Sequence, residues 1–200
     1  MVSSDIIHMK REQDVSIGLW NHWMYRPLLL VTTPLLWSVG VLDFCAGRDK
    51  PRKLGRGTIV CYTLFGQGFH EEDDTVFTAF QPGSVLSLTA EHLHTFACDK
   101  PTRFLIVASE LSLDVSLTPI PIAPGHHINT TAAGFYILRG SVEVQTDSNL
   151  PRTAIGRATV FSVSSLTDYT IYNSDPKETT LISIGVQATA RQETTGAAFV

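Results

Sequence analysis

Residues 81–108 read QPGSVLSLTAEHLHTFACDKPTRFLIVA, and residues 156–185, GRATVFSVSSLTDYTIYNSDPKETTLISIG, repeat the pattern. Val85 falls on Val160, Ser87 on Ser162, Thr95 on Thr170 and Pro101 on Pro176. Upstream, Thr58–Phe69 (TIVCYTLFGQGF) matches Ala132–Val144 (AAGFYILRGSVEV), with Gly66 on Gly140. Self-similarity in strand, turn and strand order over about 50 residues marks one supersecondary unit used twice. Short runs rich in Val, Ile, Thr, Phe and Tyr, bounded by Gly, Pro, Asp and Asn, read as strands. They are Trp37–Phe44, Thr58–Phe65, Thr75–Phe80, Val85–Leu88, Arg103–Ala108, Gly134–Leu138, Val142–Thr146, Ala158–Val163 and Thr179–Val186. A helix is expected only around Met9–Asp14. Between the repeats, Leu111–Pro124 carries Pro119, Pro121 and Pro124 and reads as a stiff connector. The expected units are therefore residues 1–112 and 113–200, two β-sandwich or barrel halves sharing one continuous core.

Composition narrows the function classes. The chain has 200 residues, 44% hydrophobic and 17% charged, which is too apolar for disorder. Its net charge of −4 and lack of a basic block argue against sequence-general nucleic-acid binding. No run reaches the roughly 18 apolar residues of a membrane span. The N-terminus lacks a signal-peptide core. Cys45, Cys61 and Cys98 are odd in number with no CxxC spacing, so they read as reduced thiols in a cytoplasmic protein. Walker loops, GxSxG elbows, Rossmann glycine motifs and HExxH helices are all missing from the sequence.

The segment PGSVLSLTAEHLHTFAC, residues 82–98, resembles the second motif of the cupins, with a Gly-led turn, a strand, a small-residue turn and then His-x-Phe. Gly66 and Gly140 resemble the glycine that closes the first motif. The resemblance implies an all-β bicupin with two jelly-roll β-barrel halves. A narrower resemblance, to the HutD/Ves family of small bicupins, covers most of the chain. It is carried by Leu19-Trp20, Trp37, GTIVCYTLFGQG and FACDKPTRFLIVAS. It implies a ligand-binding or regulatory protein linked to histidine utilisation. Trp20 matches that family's signature, but Trp23, Met24 and Tyr25 stand where it has glycines.

The same resemblance sets the metal question. A metal cupin takes two His and a Glu from the first motif and a His from the second. His94 occupies the last position, but counting back from Gly66 places Ile59 at the Glu position and Arg52 and Leu54 near the His positions. In the second half Ala133 takes the Glu position and Tyr169 the second-motif His position, with Asn173 following, while His126 or His127 could fill a first-motif His position. No metal and no cofactor are therefore expected, although an atypical set drawing on Cys61 or His70 stays open.

Alternation sends His92 and His94 to one strand face, so both are candidate acid–base residues. Cys61 and Thr63 share a face with Ile59 and would line the barrel. The dense aromatic stretch Trp20, His22, Trp23 and Tyr25, together with Trp37 and Phe96, would form the rest of a mostly apolar substrate pocket. Glu71-Glu72-Asp73-Asp74 reads as a solvated hairpin turn. The stretch Arg48–Arg56 reads as a basic loop able to steer an anionic ligand. The tail after residue 187 reads as frayed.

Three functions stay open. The first is a metal-independent isomerase, cyclase or lyase acting on a small organic molecule with His94 or His92 moving a proton. The second is a non-catalytic binding or regulatory protein. The third is a metallocupin with an atypical ligand set. The expected partner is a small organic ligand, with homodimerisation through an edge strand open; neither nucleic acid nor membrane is expected.

Overall fold

The computed structural model describes residues 7–20, 23–31, 36–54, 57–132, 134–163 and 169–189. His22, Arg56, Ala133 and most of the tail lie outside them. The described chain is a stack of four antiparallel sheets. In the first half, an inner sheet runs in the order Val85–Thr89, Thr58–Phe65, Thr102–Ser109, Trp37–Phe44, Trp23–Val31, Gly18–Trp20. Its outer sheet runs Gly47–Arg48, Leu93–Cys98, Gly68–Glu72, Val76–Phe80, with Arg52–Lys53 also pairing onto Leu93–Cys98. The second half repeats this order. Its inner sheet is Ile7–Arg11, Thr159–Val163, Gly134–Arg139, Thr179–Ala188, Leu113–Ile122, and its outer sheet His127–Thr130, Tyr169–Tyr172, Val142–Gln145, Thr153–Ile155. All nine strands expected from residue patterning are present, and among the described residues no helix is long and apolar enough to cross a membrane.

Three apolar clusters replace the single continuous core that was expected. Leu42, Ile59, Cys61, Leu88, Phe96 and Phe104 fill the first half. Phe135, Ile137, Val144, Phe161, Ile171 and Leu181 fill the second. Between them, Val39, Val41, Leu105 and Val107 of one inner sheet pack on Leu117, Tyr136, Val160 and Ile182 of the other. The middle of Trp37–Phe44 is therefore buried on both faces, which is why Val39–Leu42 reads as a continuous run without polar side chains rather than an alternating one.

Two local expectations are corrected. Met9–Asp14 is not helical: Ile7–Arg11 is a strand on Thr159–Val163, followed by a single 3-10 turn at Glu12–Asp14. Pairing with an open sheet edge outweighs weak local helix preference. The proline-rich connector is a ten-residue strand, Leu113–Ile122, paired along one side with Thr179–Ala188. It lies at the sheet edge, and residues 119 and 121 are two apart, so both missing N–H groups face the unpaired side. Because Ile7–Arg11 joins the second half's sheet and Gly18–Trp20 and Trp23–Val31 join the first, the leading segment straps the halves together.

One device is shared by both repeats. Gly66 and Gly140 have φ of 95° and 80°, and a Cβ at either would lie 2.1 Å or 2.3 Å from the hydroxyl oxygen of Thr102 or Thr179. Backbone conformation and close approach both demand glycine there.

Candidate functional site

The strand Leu93–Cys98 directs His94, Phe96 and Cys98 into the first half. Register sets His94 beside Glu72 on one neighbour and Arg52 on the other, and Phe96 beside His70. Cross-strand partners share a face, so Arg52, Glu72, His70 and His94 form a polar end to an otherwise aromatic interior. Behind them Phe44, Phe80, Phe96 and Phe104 pack with ring centroids 4.9–6.2 Å apart, mostly tilted or edge-to-face.

The two histidines hydrogen-bond each other. His94 Nε2 lies 2.8 Å from the Thr89 carbonyl oxygen, and His70 Nε2 lies 2.9 Å from His94 Nδ1. A carbonyl only accepts, so His94 carries its proton on Nε2, and His70 Nε2–H donates to His94 Nδ1. The rings stack at 5.1 Å between centroids. His94 has no exposed surface and His70 is 4% exposed. Burial, then the neighbouring His94, pushes the His70 ionisation down to about 4, with Glu72 pulling the other way. The His70 ring is therefore neutral near pH 7.

His92 does not join this pair. The strand begins after it, and its side chain is 46% exposed, with Nδ1 2.9 Å from Glu72 Oε1 and 3.1 Å from Asp73 Oδ2. The first of these is proximity without hydrogen-bond angles, since Glu72 Oε1 has no hydrogen-bond partner. Alternation fails because His92 lies in the turn, where the period of two no longer applies. The acidic run also divides. Glu71 and Glu72 are strand residues, and Glu71 is buried under a salt bridge from Arg48; only Asp73 and Asp74 form the turn, both at positive φ. The interior partner of His94 is thus His70. Its signal in the sequence was a hairpin register that brings Gly68–Glu72 against Leu93–Cys98, which spacing alone does not reveal.

The remaining expected pocket residues scatter. Cys61 and Phe96 belong to the first half's interior, and burial raises the Cys61 thiol to about 12. Thr63 is fully buried, and among the described residues its hydroxyl has no hydrogen-bond partner. Tyr25 packs on the same cluster with its ring over Gly40. Trp37 instead lies between the halves. Trp20 and Trp23 are backbone register partners where Gly18–Trp20 pairs with Trp23–Val31. Beside that hairpin opens a cleft of about 290 Å³ lined by Met24, Asp43, Phe44, Cys45, Arg48 and Phe96. It has an aromatic floor, a charged rim and the exposed Cys45 thiol.

The residues do not fit the metal set of metallocupins. His94 commits both ring nitrogens, Leu54 and Ile59 are apolar core, and Arg52 is cationic. Among the described residues no three His, Cys, Asp or Glu side chains converge as a ligand group. In the second half Tyr169 is buried, its hydroxyl donating to the Ala132 carbonyl, and Asn173 spans Ile122 O and Lys177 O.

No protein-family model and no curated protein sequence matches the chain. Solved structures do. HutD from Pseudomonas fluorescens SBW25 superposes with a TM-score of 0.64 at 14% identity, covering 92% of this chain and 100% of that one. The cupin 2 conserved barrel domain protein from Leptotrichia buccalis gives 0.58 at 10%, covering 94% and 100%. Lactobacillus farciminis oxalate decarboxylase, in a formate complex, gives 0.71 at 10%, covering 95% and 88%. The chain has the cupin fold.

Proposed function

We propose that this is a small-molecule-binding cupin whose first half holds the ligand. The site is the cleft floored by Phe44 and Phe96. One observation carries the reading: His94 has no exposed surface and both its ring nitrogens are engaged, so it supports the interior as a hydrogen-bonded post. The cleft, reached by Phe96 of the same strand, supplies what a binding protein needs, an apolar floor with a few charged groups at the rim. The unpartnered Thr63 hydroxyl adds a polar point inside the same half. This favours the binding reading shared with the HutD/Ves resemblance over chemistry at the histidines.

The test uses Cys45 as reporter, since Cys61 and Cys98 are buried. Iodoacetamide labelling of the full chain is followed by mass spectrometry in the presence of benzoate, benzamide, indole-3-acetate and comparable small aromatic and aliphatic acids and amides. A binder is expected to slow Cys45 alkylation at least about tenfold and to be recovered unchanged, with Met24→Trp, which fills the cleft and keeps the reporter thiol, abolishing the protection. If no compound protects Cys45, the cleft is not the site. Acid–base catalysis is the second reading, favoured by the His70–His94–Thr89 hydrogen-bond chain. It predicts that a protecting compound is converted, and that His94→Gln stops conversion without removing protection.

A further inference from the structure

At the edge of the junction between the halves lies a second cavity, of about 270 Å³, walled by Arg11, Arg26, Arg103 and Arg157 with Glu12 among them. The four arginines come from separate parts of the chain. Arg26 and Arg103 lie on the first half's inner sheet, Arg11 on the leading strand, and Arg157 in the turn before Thr159–Val163. Two carboxylates serve this group. Asp43 accepts from Arg26 and, at 2.5 Å, from Arg103 Nε. Glu12 accepts from Arg103 at 3.1 Å and from the Tyr136 hydroxyl. Burial, reinforced by Glu12, raises the Tyr136 ionisation, so the phenol stays a donor. Four positive charges thus face two negative ones. Among the described residues the Arg11 and Arg157 guanidiniums have no ion-pair or hydrogen-bond partner.

The frame around these groups is fixed. Asp43 locks Arg26 and Arg103 from opposite sides. The turn bearing Arg157 is held by Ala158 N–H donating to Ile137 O and by Glu12 N–H donating to Ala158 O, each at 2.9 Å. Ala158 has φ of 57°, whereas the corresponding turn of the first half uses Gly83 at 93°. An alanine in the left-handed region persists only where its surroundings over-determine it. Converging like charges at a cavity is costly unless a counter-charge enters, and planar guanidiniums match oxyanions with paired N–H donors.

We propose that this cavity binds a small doubly charged oxyanion, a dicarboxylate or a phosphate group, which bridges the two halves. The site is separate from the cleft at Cys45, although Asp43 lines that cleft and anchors these arginines. Succinate and inorganic phosphate are the probes, titrated into the full chain by calorimetry at low ionic strength, with thermal melting in parallel. Binding below about 1 mM and a raised melting temperature are expected, weakened at least about tenfold in Arg11→Gln/Arg157→Gln and unchanged in the distant Arg152→Gln. Both guanidiniums are exposed and unpaired, so the double variant should fold, and its unliganded melting temperature checks this. Binding of succinate alone or phosphate alone upholds the proposal and identifies the source. The proposal is overturned if neither anion binds, if chloride at equal ionic strength stabilises equally, or if binding survives the double substitution. Cys45 labelling reports the other site independently, so the two readings fail separately.

Discussion

Acid should weaken this protein through His70 in a way one substitution can isolate. Its folded ionisation lies at about 4 against an ordinary value of 6.5, because burial and the adjacent His94 oppose a charge there. Between those values the unfolded chain binds a proton that the folded chain refuses. The contribution of this group is therefore fully present above about pH 7, declines as pH falls through 6.5, and levels off below about 4. A depression of 6.5 − 4 = 2.5 at about 1.4 kcal/mol per pH unit sets a ceiling of about 3.5 kcal/mol, and relaxation of the site makes ~2 kcal/mol a sounder figure. His70→Gln is the matching perturbation, since its amide N–H can still donate to His94 Nδ1 but does not titrate. Urea unfolding of both proteins from about pH 7.5 to about pH 4 cancels the carboxylate titrations common to each. The stability difference between them should shift by ~2 kcal/mol in favour of the variant as pH falls. A difference that stays flat across that range would refute the buried, uncharged state of His70.

Native protein should expose one fast thiol to Ellman's reagent, at Cys45, with Cys61 and Cys98 reacting only at the rate of unfolding; fast reaction of a second thiol contradicts the packing of the first half. Gly140→Ala should cost about 2–4 kcal/mol in urea unfolding, because φ is 80° and the new Cβ would meet the Thr179 hydroxyl oxygen at 2.3 Å. Asn173→Ala should cost ~3 kcal/mol by the same assay. It strips the donor from Ile122 O in a buried setting, and the donor from Lys177 O and the acceptor of Asp175 N–H in part-buried ones.

The repeat made the fold legible because both halves spend the same punctuation at the same places. Gly66 and Gly140 close equivalent strands, and Val85 and Val160 open equivalent ones after a tight turn. The edge position of Leu113–Ile122 was hidden, since Pro119 and Pro121 break a strand everywhere except where one side is unpaired. The site was less legible. His94 could be placed from its motif, but its partner His70 is 24 residues away and meets it only through the pairing of two strands. His92 failed for a local reason, the strand beginning one residue later than alternation required. The arginine cavity left no motif at all. Its members lie at 11, 26, 103 and 157 and converge only once the halves have packed and the leading strand has crossed between them.

The two halves share one strand order but not one interior, and the contrast bears on which half works. In the second, Phe135, Ile137, Val144, Phe161, Ile171 and Leu181 close the space, and Tyr169 turns its hydroxyl onto the Ala132 carbonyl. Among the described residues of that half, no buried side-chain polar atom is left without a hydrogen-bond partner. The first half buries two imidazoles hydrogen-bonded to each other and, among the described residues, leaves the Thr63 hydroxyl without a hydrogen-bond partner. Such an atom costs about 1–3 kcal/mol, which an apolar residue of similar size would avoid. A sandwich that needs only to be stable has no reason to keep it, as its sister half demonstrates. This contrast supports the proposed ligand site in the first half, whose inner sheet packs against that of the second.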